Sequence, residues 1–266
     1  RITEAVARLC IEANTCLPAS AEAALRAARE AESWPAARGI LEDLCSNLDI
    51  ARATRLPICQ DTGLVTVFLE LGQDVHISGG GLDEAVQEGV RRGYAEGYLR
   101  KSVVRDPLRR VNTGDNTPAA LKLRIVPGEG VRITVSPKGA GSENMCRIKM
   151  LTPAEGEEGV RRFVVDTVLS AGGNPCPPTV VGVGIGGGFD TVAAIAREAL
   201  LRPVGEPNAD GYYAAMEREL LAEINASGRR APRPRGGGAA RGGARQVGAP
   251  PQSQLTHEPP TRPPPP

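Results

Sequence analysis

Apolar residues along the chain first recur at helical spacing. Ile2, Val6, Leu9 and Ala13 fall on one face, and so do Ile40, Leu44 and Leu48, which predicts two N-terminal helices. Between them, Ser20 is placed to cap an Ala-, Glu- and Arg-rich helix. Cys10 and Cys45 lie in or beside these stripes and read as small core residues. After Ile58 the period changes. LVTVFLEL, Leu64 to Leu71, is short and β-branched, as a strand is. Leu82 to Arg100 returns to helical spacing through Val86, Val90, Tyr94 and Tyr98, although its glycines oppose a helix. Leu121, Leu123 and Ile125 alternate with polar residues, and Val131, Ile133 and Val135 do the same beyond a turn at Pro127 to Gly130. That pattern predicts an antiparallel hairpin with one buried face.

TPAE, Thr152 to Glu155, has capping-box spacing with proline at the first helical position. The helix it opens should run to Ala171 and stop at Gly172. TVVGVGIG reads as a buried strand, TVAAIAREALL as a helix, and a last helix runs from about Asn208 to Asn225. The expected fold class is α+β: an N-terminal helical layer packed on a mixed β-sheet with flanking helices, followed by a disordered C-terminal tail.

Composition sharpens the last point. Residues 229–266 hold ten prolines, seven arginines and one acidic residue, and no lysine. Such a segment cannot bury enough surface to offset its ordering entropy. The organisation expected is one domain over 1–228 and a disordered Arg/Pro/Gly-rich tail over 229–266. The tail carries +6, so the domain carries −5 and has no nucleic-acid footprint. No apolar run is long enough for a membrane span, and no signal-peptide layout opens the chain, so the expected compartment is the cytoplasm. The first residue is Arg1 rather than Met, and a preceding segment is expected. Six cysteines in a chain of this length, without a signal, read as reduced thiols or a metal site rather than as a disulfide framework.

Four polar, glycine-bearing loops interrupt the elements: CQDTG, NTGDNTP, SPKGAGSEN and GGNPCPP. Sites usually lie where elements start or stop, and four such loops suggest one shared pocket. Cys59 and Cys176 differ from the other thiols in lying in proline-flanked loops, where the backbone is held stiffly enough to present a metal ligand. Their spacing alone matches no metal motif, since neither belongs to a C-x-x-C pair, and on spacing alone two unrelated loop cysteines are the better reading. Gly182, Gly184 and Gly187 satisfy the dinucleotide fingerprint after a strand. The fingerprint also requires an acidic residue at the end of a second strand, and the nearest candidate, Glu206, lies in a loop. A flexible turn is the better reading. The two histidines, His76 and His257, do not support a Ser-His-Asp engine.

LPICQDTG, GYLRKSVVRDPL, VNTGDNTPA, SPKGAGSENMCRIKMLTPAEG and GGNPCPPTVVGVGIGG stand in an order that resembles the class I fumarate hydratases and tartrate dehydratases, the iron–sulfur hydro-lyases. The likeness is to the α-subunit type, or to the N-terminal region of the single-chain form, and covers about Ile2 to Gly228. It implies a [4Fe–4S] cluster held by three cysteines with one iron open, Cys59 and Cys176 matching the first two ligands. Asp61 then takes a catalytic position, and Gln60, Arg100 and Gly141 bind a small dicarboxylate substrate. The implied reaction is reversible hydration of fumarate to malate. The general base is implied to lie in a β subunit or C-terminal domain, making the protein a hetero-oligomer. A tartrate dehydratase α subunit is the close alternative, and a cluster-free scaffold subunit the distant one.

The likeness ends near EINASG, and no cysteine follows Cys176, so the third cluster ligand has no counterpart here. The tail has the bias of a GC-rich gene read out of frame. Translating the DNA beyond Gly228 in the other two frames tests this, and recovery of no cysteine in a glycine-rich segment refutes it.

Overall fold

The computed structural model describes residues 1–176, 178–228 and, as a backbone strand, 252–257. The fold class is α+β. The elements run α1 (Ile2–Thr15), α2 (Ala19–Ala31), α3 (Pro35–Thr54), β1 (Leu64–Gly72), α4 (Leu82–Glu96), β2 (Ala120–Val126), β3 (Val131–Lys138), α5 (Ala140–Glu143), α6 (Gly156–Ala171), β4 (Val180–Ile185), α7 (Val192–Ala199), α8 (Gly211–Gly228) and β5 (Gln252–His257). They divide into two compact units, Arg1–Leu17 with Asp43–Asn144, and Pro18–Glu42 with Met145–Pro266.

The core of the first unit joins α1 and α4 to a mixed sheet. Val6 and Cys10 meet Val86, Val90 and Tyr94, and these pack against Val65, Val67 and Ala119. Each of these side chains is less than a tenth exposed, and burying an aliphatic one contributes about 1.5–3 kcal/mol. The glycines of α4 now have a reason. A Cβ at Gly89 would stand 2.6 Å from Val6 Cβ, and one at Gly93 would stand 2.7 Å from the Ala7 carbonyl oxygen. They cost helix propensity and let the two helices touch. The helix ends at Glu96, four residues before the expected Arg100, and Tyr98 follows in a left-handed conformation.

The expected hairpin is corrected. The sheet order is β2-β1-β3, with β1 parallel to β2 and antiparallel to β3, so the two strands flanking the turn do not pair. The reason lies in β1. Val65 through Leu69 are all buried, so β1 is covered on both faces and takes the centre. Lys122, Arg124 and Arg132 give the other strands a charged face, which suits an edge. The turn closes over the end of β1, whose Gly72 and Gln73 amides donate to the Gly130 and Val126 carbonyls, both at 2.7 Å. The buried face also falls short. Leu121 is half-buried against the core, while Leu123 and Ile125 are exposed.

The core of the second unit is Val164 and Val165 of α6 against Met216, Leu220 and Ile224 of α8, with Val183 and Ile185 of β4 beside them. Helix α6 ends at Gly172 (φ 55°) as expected, but starts at Gly156 rather than inside TPAE. Gly156, at φ 48°, breaks the first turn, and only half the capping box forms: the Thr152 amide donates to Glu155 Oε2 at 2.8 Å. Ser20 does not cap α2 either. Pro18 stands at that position, and the Ser20 hydroxyl accepts the Val204 amide at 3.1 Å. The expected disorder over 229–266 lies outside the described residues except at Gln252–His257, which pair in parallel with β4. No helix among the described residues is long and apolar enough to cross a membrane.

Candidate functional site

The loop between α3 and β1 carries Cys59, Gln60 and Asp61, and hydrogen bonds to buried and half-buried polar groups anchor both its ends. At the near end, the Ile58 amide donates to the Asn14 carbonyl, and Asn47 Nδ2 donates to the Ile58 carbonyl, each at 2.8 Å. At the far end, Tyr94 Oη donates to the Thr62 carbonyl at 2.6 Å, and Asn116 Nδ2 donates to the Gly63 carbonyl at 3.2 Å. Tyr94 and Asn116 are both fully buried. Burial pushes the Tyr94 phenol above its usual range, so it stays a hydroxyl donor. Asn116 Oδ1 also accepts the Ser102 amide at 2.7 Å and the Val103 amide at 3.2 Å.

Three of the four polar loops therefore meet. Asp61 Oδ2 accepts the Ala140 amide at 2.8 Å, which ties CQDTG to the glycine loop containing Gly141. Asp61 Oδ1 accepts the Gly63 amide at 3.2 Å. Thr62 Oγ1 donates to the Arg100 carbonyl at 3.0 Å, which brings the Arg100 segment alongside, and Arg100 itself is exposed. The approach demands glycine: Gly63 stands at φ 72°, and a Cβ there would lie 2.3 Å from the Lys138 carbonyl carbon. The Cys59 thiol donates to Gln60 Oε1 at 3.4 Å, and its sulfur accepts the Asp61 amide at 3.4 Å. The result is an exposed thiol and amide and a half-buried carboxylate on one braced turn, beside a glycine loop and an arginine.

Cys176, in the fourth loop, belongs to the second unit and is exposed. So is Cys146, which the sequence reading did not single out. The thiol chemistry suits an iron–sulfur cluster, but the ligand count does not: no three Cys, His, Asp or Glu among the described residues form a metal-binding group. Asn14, Asn47, Tyr94 and Asn116 were also missed as site supports. For the first three the only signal in the sequence was a polar group inside or beside an apolar stripe, and Asn116 stood in the NTGDNTP loop with nothing to set it apart.

The Gly182–Gly187 run is a packing device. A Cβ at Gly182 would stand 2.4 Å from the Ala196 carbonyl oxygen, and one at Gly184 would stand 2.6 Å from that of Val192. Small residues here let α7 lie directly on β4, and no dinucleotide is needed to explain them.

A family profile described as "Fumarate hydratase (Fumerase)" matches residues 3–232. A Methanocaldococcus jannaschii chain, provisionally named L(+)-tartrate dehydratase subunit alpha, is 41% identical over 234 residues, spanning 86% of this chain and 82% of its own. The protein named L(+)-tartrate dehydratase subunit alpha in Escherichia coli UTI89 is 32% identical over 232 residues, spanning 86% and 76%. Its counterpart in strain K12 is 31% identical with the same spans.

Proposed function

The chain belongs to the fumarate hydratase family, and from that premise we propose that it is the α component of an iron–sulfur hydro-lyase acting on a small dicarboxylate, its site completed by a β subunit. The observation that carries this reading is the Asp61–Ala140 clamp, which joins the Cys59–Gln60–Asp61 turn to the Gly141 loop. Thr62 adds the Arg100 segment. Arg100 offers a forked donor to a planar carboxylate, and Gln60 and the Gly141 main chain offer further donors. Asp61, fixed by two amides, keeps lone pairs to accept a hydrogen bond from the substrate hydroxyl. Cys59 and Cys176 would hold a [4Fe–4S] cluster through two thiolates, and its third ligand would have to be supplied from outside residues 1–228. When bound, such a cluster supplies a Lewis acid for the departing hydroxyl. The base that takes the neighbouring carbon's proton belongs to the β subunit. The protein works in the cytoplasm, where thiols stay reduced.

Hydration of fumarate to malate is the first reading. The relatives' names favour a second, dehydration of L(+)-tartrate. Steady-state kinetics of the anaerobically reconstituted α/β pair separates them: turnover of fumarate supports the first, and turnover of tartrate alone supports the second. Turnover of neither, with no iron uptake, leaves a cluster-free scaffold subunit and removes the enzyme reading.

A further inference from the structure

Residues 100–113 leave the site edge and return to it as an ordered finger. Asn116 holds the base through the Ser102 and Val103 amides. Above it, Val104 and Asn112 form an antiparallel bridge, the Arg105 amide donates to the Val111 carbonyl at 2.8 Å, and the Thr113 amide donates to the Val103 carbonyl at 3.0 Å. At the tip, Asp106 Oδ1 accepts the Leu108 and Arg109 amides at 3.0 and 2.7 Å, and the Arg110 amide donates to the Asp106 carbonyl at 2.8 Å. This much internal bonding fixes a side chain that gains nothing from water: Leu108 is 91% exposed, and Val111 beside it is 54% exposed.

The charge is equally one-sided. Arg100, Lys101, Arg105, Arg109 and Arg110 stand against Asp106 alone, whose carboxylate is occupied by its own backbone. None of the five cations has an ion-pair partner among the described residues, whereas Arg91 and Arg92, on α4, are both bound by Glu88. A stiff turn that carries an exposed aliphatic tip and unpaired cations along the same segment fits a protein surface with an apolar socket and neighbouring carboxylates.

We propose that this finger docks into a second chain of that chemistry. On the function proposed above, that chain is the β subunit. The placement favours it, because the finger springs from Arg100 at the open edge of the site, where the chain that completes the site must approach. Steering of a small diacid would use the charges alone and leave Leu108 and Val111 without a role.

The test co-expresses tagged β subunit with the parent chain, with Leu108→Asp, and with Arg105→Glu/Arg109→Glu/Arg110→Glu. Association is measured at low and high salt, and thermal unfolding of each α chain checks the fold. The expected result is parent binding weakened by salt and reduced about tenfold or more in each variant, with unchanged unfolding midpoints. Variants that bind β like the parent overturn the finger and leave the proposed function standing. A parent chain that binds no β overturns both. Intact assembly with a raised KM assigns the charges to substrate steering and overturns docking. Self-association of the α chain lost in Leu108→Asp assigns the socket to a second copy and overturns the choice of partner.

Discussion

Asp61 and Ala140, 79 residues apart in sequence, are joined by a hydrogen bond of 2.8 Å from the Ala140 amide to Asp61 Oδ2. Together with the Leu64–Lys138 pairing of β1 with β3, this contact ties the thiol-bearing turn to the glycine loop. Gly139, the residue between the sheet and that loop, has no room for a side chain: a Cβ would meet the same Oδ2 at 3.0 Å.

Asp61→Asn leaves one acceptor oxygen for two amides and sets an NH₂ group against one of them. A loss of about 1–2 kcal/mol is expected in urea unfolding. Turnover of the α/β pair should fall much further, by about 100-fold, because the turn and the glycine loop lose their common orientation. A variant with parental turnover would show that the clamp does not position the site.

Gly184→Ala should destabilise the second unit by about 2–4 kcal/mol, since the new methyl meets α7 backbone rather than a flexible side-chain end. The thermal midpoint measures it. NADH fluorescence should not change on mixing with the parent chain. An enhancement would restore the nucleotide reading that close packing replaces.

In the metal-free chain, Cys59, Cys146 and Cys176 should react quickly with a thiol reagent, because all three are exposed. Cys10 and Cys45 should react only after unfolding, and burial further protects Cys10 by pushing its thiol up to about 12. Cys59→Ala should remove one fast equivalent. It should also remove the brown absorbance near ~400 nm that anaerobic iron–sulfur reconstitution is expected to give. Retention of the full chromophore would take Cys59 out of the ligand set.

Acid should weaken the fold in part through Asp115. Burial works to raise this carboxyl, but hydrogen bonds from the Thr117 amide and hydroxyl, from Arg91 and from Thr113 outweigh it and hold it at about 2. The folded value lies below the unfolded one, so the contribution is complete above about pH 4 and is lost as pH falls towards 2. Urea midpoints at pH 5 and pH 2.5 should differ less in Asp115→Asn than in the parent. Part of the acid loss should persist, since Glu155 is also held at about 2, chiefly by the Thr152 amide.

Much of the element list was legible in the chain because helix and strand periods are local. Val6 and Cys10, or Val86, Val90 and Tyr94, declare a helical face within a few residues, and they form the core that spacing predicts. Glycine was read less well. At Gly89, Gly93, Gly182 and Gly184 the missing side chain answers to a neighbour distant in sequence or across a loop, so its purpose is invisible in the local pattern. The site divides in the same way. CQDTG, SPKGAGSEN and NTGDNTP announced themselves as loops rich in donors and acceptors, whereas Asn116, fully buried and bonded to three main-chain groups, looked like one more loop residue.

By itself the sequence determined the α+β class, most of the helices and the polar loops that carry chemistry, since each follows from side-chain periodicity or turn composition over a few positions. Only the tertiary structure decided that β1 enters between β2 and β3, and that Asp61 reaches across to Ala140. Hydrogen bonds between distant segments set both, main chain to main chain in the sheet and from a main-chain amide to a carboxylate at Asp61. Every residue carries the same amide and carbonyl, so the choice of partner rests on which strand can be covered on both faces and on where a glycine lets two backbones touch.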